Sequence, residues 1–126
     1  MLLFVSLAPA LSRADDWPQW RGIDRDAVSL ETGLETEWSE HGPPLAWHAQ
    51  GLGRAYSSVV VSDGFVVTQG TFGQDLVATA LDADTGKLRW SKIIGSTPRN
   101  PSSTPTIDED RLYILDPDGE LTAFEL

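Results

Sequence analysis

The feature that most constrains this chain is an internal repeat of short, valine-rich strands. From Ser57 onward the sequence reads as four strands: residues 57–61, 65–69, 76–81 and 87–92. Asp63-Gly64 between the first two is a strong hairpin signal. Residues 70–75 read as the next loop, and Asp84-Thr85-Gly86 supplies turn chemistry, with a glycine free to take positive φ. In the last strand Leu88 and Trp90 alternate with charged residues and so share one face. No stretch carries the 3.6-residue period of an amphipathic helix.

The pattern then restarts. Ser103-Thr104-Pro105-Thr106-Ile107 matches Ser57-Ser58-Val59-Val60-Val61, residues 111–114 answer 65–68, and residues 121–124 answer 77–81. Asp116-Pro117-Asp118-Gly119 makes the tighter intervening turn. Trp47 and Trp90 stand 43 residues apart, and Ser58 and Thr104 stand 46 apart. Repeats of about 40–50 residues, each of about four strands, are the signature of a β-propeller blade. The expected fold is therefore all-β, an incomplete β-propeller with about one full blade and parts of two neighbours. Residues 57–92 make the complete blade. Residues 45–49, centred on Trp47, are expected to be a lone fourth strand before it, and residues 104–126 three strands after it. A ring needs about 4–8 blades, so the chain reads as the N-terminal fragment of a longer protein whose remaining blades are missing.

The first 44 residues differ in kind. Residues 2–11 are almost wholly apolar, and Ser12-Arg13-Ala14 follows with small residues at the positions an export peptidase reads. Residues 1–14 are accordingly expected to be an export signal, with Asp15-Asp16 opening the mature chain, although no Lys or Arg precedes the apolar run. That run is too short for a stable membrane span. Residues 15–44 read as irregular, with a short strand around residues 36–38. Within them Trp17-Pro18-Gln19-Trp20-Arg21-Gly22 is expected to be extended, with Trp17 and Trp20 as packing anchors. Residues 45–126 carry the repeats.

Composition narrows the function classes. A formal net charge of −10 over 126 residues disfavours nucleic acid and anionic lipid as partners. With no cysteine, disulfide frameworks, thiolate metal sites and thiol nucleophiles are excluded. His41 and His48 lack a nearby acidic ligand set. Asp82-x-Asp84-x-Gly86 begins like a calcium loop, but Ile93 stands where the bidentate carboxylate belongs. Gly51-x-Gly53 lacks its third glycine, because Tyr56 stands there. Asn100-Pro101-Ser102 is barred from glycosylation by its proline. Ser57, Ser58, Ser102 and Ser103 have no histidine in a triad relation. No catalytic, cofactor-binding or metal-ligating residue is assigned.

Ala80, Asp82, Thr85, Gly86 and Trp90 match A-x-D-x-x-T-G-x-x-x-W at all five positions. In this the chain resembles the pyrroloquinoline quinone (PQQ)-like β-propeller repeat family, in which the pattern is a tryptophan-docking motif. That family includes quinoprotein alcohol dehydrogenases and the BamB lipoproteins. The resemblance implies that Trp90 leaves its blade to pack against the next, with Trp47 its upstream counterpart. It implies two function classes. The first is a noncatalytic interaction scaffold of the bacterial periplasm or cell envelope, with envelope proteins as partners. The second is a PQQ-dependent dehydrogenase of alcohols or sugars, which needs the quinone, calcium and a catalytic aspartate.

Overall fold

The computed structural model describes residues 15–126. The export-signal reading of residues 1–14 lies outside the described residues. Among the described residues all seven regular elements are strands: β1 (Val60–Ser62), β2 (Phe65–Phe72), β3 (Asp75–Asp82), β4 (Leu88–Ser96), β5 (Thr106–Asp108), β6 (Arg111–Leu115) and β7 (Leu121–Glu125). They form a four-stranded sheet in the order β1-β2-β3-β4 and a three-stranded sheet in the order β5-β6-β7, antiparallel throughout. These are one full propeller blade and most of a second. Among the described residues, no helix is long and apolar enough to cross a membrane.

Local chemistry accounts for the turns. Asp63 and Gly64 take φ of 49° and 79°, the paired positive values that match the twist of a two-residue hairpin. In the second sheet Glu109 takes φ of 54° at the equivalent bend. Side-chain alternation gives the first sheet two apolar faces. Val60, Val67, Ala78 and Ala80 point to one face and meet Ile107, Leu112 and Ile114 of the second sheet, with Phe65, Trp90, Ile94 and Phe124 packed around them. β1 and β5 approach one another, as the inner strands of adjacent blades do.

Several strand expectations need correcting. Residues 70–75 are not a loop: β2 runs to Phe72 and β3 starts at Asp75, leaving Gly73-Gln74 as the turn. The cause is long-range. Thr71 exchanges backbone hydrogen bonds with Arg54 (N–H to O, 2.9 and 3.0 Å), which holds residues 52–54 against the outer half of β2. β4 continues past Lys92 to Ser96, with register shifts beside Leu76/Val77 and Ala80/Leu81. Residues 57–59 and 103–105 precede their strands rather than begin them. Residues 45–49 are not a strand, because none of the described strands pairs with them; a side chain, Trp47, holds them instead. Residues 36–38 form no strand either, and the nearest pairing is the Ser39–Gly42 turn.

The N-terminal segment ties the two sheets together. Trp17 and Val61 exchange backbone hydrogen bonds of 2.7 and 2.9 Å on the outer edge of β1, and the Ile107 amide of β5 donates to the Pro18 carbonyl at 2.8 Å. Asp16 Oδ2 accepts from the Ser62 hydroxyl at 2.8 Å. Residues 16–18 are thus a clasp across the inner strands of both blades. Trp17 is half-buried with its ring against Gly22, where an added Cβ would lie 2.9 Å from ring carbons. Trp20 is not the expected packing anchor: it is 57% exposed, and the Arg21 guanidinium lies 4.6 Å from its ring centroid. Pro18 and the tight bends that follow turn that ring outward.

Candidate functional site

Of the five residues of the pattern, Asp82, Thr85 and Gly86 sit at the turn between β3 and β4, while Ala80 and Trp90 face one another in the strands that lead to it. Asp82 Oδ1 accepts from the Thr85 amide (2.9 Å) and the Thr85 hydroxyl (2.7 Å). The Gly86 amide donates to the Asp82 carbonyl, and the Asp82 amide to the Lys87 carbonyl, both at 2.8 Å. Arg89 Nη1 pairs with Asp82 Oδ2 at 3.3 Å. A further 2.8 Å bond, from the Ala83 amide to the Gly64 carbonyl, locks this turn to the β1–β2 hairpin. The sequence folds this way because a carboxylate followed three residues later by Thr and then Gly satisfies the turn's own amides.

Onto that turn comes Trp47, from 36 residues upstream. Its indole N–H donates to the Ala83 carbonyl at 2.9 Å. Its ring covers Gly86 so closely that an added Cβ would lie 2.5 Å from a ring carbon. Gly86 also takes φ of 67°, so glycine is required there twice over. Trp90 opposes Ala80 in the sheet and meets Phe124 of β7 edge-on, with centroids 5.9 Å apart and planes at 70°, a favourable aromatic geometry. Lys92, on the same face, places its ammonium 4.3 Å from the Phe124 centroid. One tryptophan therefore enters the first sheet from upstream and the other leaves it for the second sheet.

The Thr85 hydroxyl hydrogen bond above all holds the Asp82 carboxyl below its ordinary value of 3.8. Desolvation opposes the shift, while the Thr85 amide, the Arg89 guanidinium and the Asp84 amide add to it. A depressed carboxyl stabilises the fold above its unfolded pKa and loses that contribution as pH falls through the folded value. The stability difference between the wild type and Asp82→Asn is therefore expected to shrink as pH is lowered from about 5 to about 2. Urea midpoints measured across that range check it, and a difference independent of pH would remove Asp82 ionisation as the turn's support.

A second polar cluster, between the sheets, was not legible in the sequence. Gln69, on β2 and 1% exposed, donates through Nε2 to the Ser103 carbonyl (2.7 Å) and hydroxyl (3.1 Å), and the Ser103 hydroxyl donates to the Leu115 carbonyl. The two acceptors at Ser103 set the orientation of the amide, and Gln69 Oε1 is left buried without a partner. Ser57 donates to the Gln69 carbonyl at 3.1 Å, and Thr104 Oγ1 accepts from the Ser58 amide at 3.2 Å. The recurring Ser-Ser and Ser-Thr pairs ahead of each inner strand were the available signal; they fill the seam between blades.

The other face of the first sheet is an open groove of about 660 Å³, lined by Val77, Leu81, Leu88 and Ile93 and bordered by residues 49–52. Leu88 and Ile93 are 62% and 63% exposed there. Leu88 therefore does not share the face of Trp90 as its alternation predicts, because the register shift between Ala80 and Leu81 pairs Trp90 with Ala80 and Leu88 with Leu81. His41 and His48 are both exposed, and among the described residues no three His, Cys, Asp or Glu side chains gather into a group able to hold a metal ion. Gly51 and Gly53 take positive φ, and no helix follows them. Asn100 Oδ1 lies 3.1 Å from the Thr71 hydroxyl, part of the seam. A family model described as outer membrane protein assembly factor BamB matches residues 10–126. No curated protein matches the chain.

Proposed function

The chain belongs to the family of the outer membrane protein assembly factor BamB, and from that membership we propose a noncatalytic, protein-binding scaffold of the bacterial cell envelope. The observation that carries the reading is how the residues of the five-residue pattern are used. Asp82, Thr85 and Gly86 satisfy one another and receive Trp47, while Trp90 packs on Phe124. Every one of them serves turn closure or blade stacking. The arrangement supports reading Ala80, Asp82, Thr85, Gly86 and Trp90 as a tryptophan-docking motif. The open face bearing Leu88 and Ile93 is the side on which a further blade stacks. Export follows from the leader reading of residues 1–14, and the family description, an outer membrane assembly factor, fits an envelope location.

The dehydrogenase alternative requires a calcium ion beside a quinone. Among the described residues no three acidic or histidine side chains are grouped so as to hold a metal ion, so none of them is assigned to that group. The deciding experiment uses the full-length protein expressed with its leader in an exporting bacterium. Affinity capture after in-cell crosslinking is expected to recover envelope proteins in stoichiometric amount, with no turnover in a dye-linked alcohol or sugar dehydrogenase assay supplemented with PQQ and calcium. Robust PQQ-dependent turnover would overturn the scaffold reading.

A further inference from the structure

The two sheets repeat one another position for position. Their inner hairpins close on equivalent pairs, Ser62–Phe65 and Asp108–Arg111. In each, a serine ahead of the inner strand donates to a carbonyl of the second strand, Ser57 to Gln69 and Ser103 to Leu115. Gln69 and Leu115 are therefore one place in the repeat, on β2 and β6, but their side chains differ in kind. Leu115 is apolar. Gln69 is a buried amide that reaches Ser103 and, through the Ser103 hydroxyl, the Leu115 carbonyl, a chain of bonds from β2 to β6. It is held at a cost, because Gln69 Oε1 is buried without a partner and an unpaired buried oxygen is unfavourable. Leucine at the equivalent position shows that the repeat accepts an apolar side chain there. The core beside Gln69 is apolar, Val60, Val67 and Ala78 against Ile107, Leu112 and Ile114. Such contacts are non-directional, and apolar cores lose uniqueness before they lose stability.

We propose that Gln69 is the specificity determinant of this blade pair: it adds little net stability and instead selects one register of the first sheet on the second. A sheet displaced along its strands would still bury valine against isoleucine. It would also carry the Gln69 amide away from the Ser103 carbonyl and hydroxyl, leaving the donor buried and unpaired as well as the oxygen. The desolvation penalty of the donor then falls on the displaced arrangement alone. Buried polar groups that fix register at the expense of stability are known from coiled coils. Tyr56 and Thr71 are also bonded to the segment between the sheets, at Pro101 and Asn100, whereas Ser103 carries the Gln69 bond onward into β6. The clasp at residues 16–18 joins the inner strands, β1 and β5; Gln69 acts one strand further out.

The test compares two variants of the full-length protein, Gln69→Leu, which copies the second sheet, and Gln69→Met, of similar length but without a donor. Methyl NMR of δ1-labelled isoleucine reads the seam through Ile107 and Ile114. Ile23 and Ile93, both exposed and outside that core, are the internal controls. The wild type is expected to give one signal for each seam methyl. In both variants the Ile107 and Ile114 signals are expected to split in two or broaden through exchange, while those of Ile23 and Ile93 stay single. The urea midpoint is expected to equal or exceed that of the wild type, since an apolar replacement removes the unpaired oxygen. A variant with single, sharp seam signals overturns the proposal. A midpoint clearly below wild type, or a variant that does not fold, also overturns it, because Gln69 would then be a stabilising bond rather than a selector. Splitting that reaches Ile23 and Ile93 overturns it too, as the sign of general loosening.

Discussion

Gly70→Ala is expected to destabilise the protein by about 3 kcal/mol, the upper part of the range for forced overpacking. Elsewhere in a strand the same change would be neutral or favourable, because alanine lowers the entropy of the unfolded chain by roughly 0.4–1 kcal/mol equivalent. Here the added Cβ would collide with the Leu52 carbonyl oxygen and lie 3.1 Å from Gly53 Cα. Both obstacles are backbone, so no side chain can swing aside. Residues 52–54 cannot retreat without breaking the paired Arg54–Thr71 hydrogen bonds. A lower urea midpoint at unchanged m-value is the expected signature. Gly73→Ala is the control: nothing lies within 4 Å of its Cβ, so only the positive φ of 66° penalises it, about 1 kcal/mol. A Gly70→Ala protein as stable as wild type would mean that residues 52–54 do not sit on β2.

Trp47→Ala is expected to cost about 3 kcal/mol, the low end for truncating a large aromatic, since the ring is half-buried. The variant loses the ring's packing on Gly86 and leaves the Ala83 carbonyl without its indole donor. Gly86→Ala is expected to be comparably damaging, because its Cβ would enter the space of the same ring at a positive φ. The two changes should be strongly non-additive. Once the indole is gone, Gly86→Ala should retain only the penalty for its positive φ, about 1 kcal/mol. A double-mutant cycle by chemical unfolding reads the coupling directly. Additive losses would show that Trp47 is held by something other than the Gly86 turn, and the route by which residues 45–49 join the blade would need redrawing.

Most of the blade was legible because its causes are local. Asp63-Gly64 announces a hairpin through two residues that tolerate positive φ. Asp82, Thr85 and Gly86 announce a turn that closes on its own amides. The 43- and 46-residue spacings announce that the unit recurs. The candidate site was half legible. Its five-residue pattern stood out, but the uncharged seam of Gln69 and Ser103 did not, because neither residue type nor spacing marks a pair 34 residues apart as partners.

What the sequence determined by itself is the repeating strand-and-turn grammar, and with it the all-β class and the family. Period-two alternation and turn chemistry act over a few residues, so they can be read without knowing where the rest of the chain lies. The tertiary structure alone decided that residues 45–49 stay outside any sheet, with Trp47 seated on Gly86. It decided that Gly70 yields space to the Leu52 carbonyl, so that β2 runs on through the expected loop. It also decided that Asp16, Trp17 and Pro18 clasp two blades at their inner strands. Each of these is a meeting of backbone with a distant segment. Such close approaches depend on which surfaces the finished sheets bring together, and no local preference of the residues encodes them.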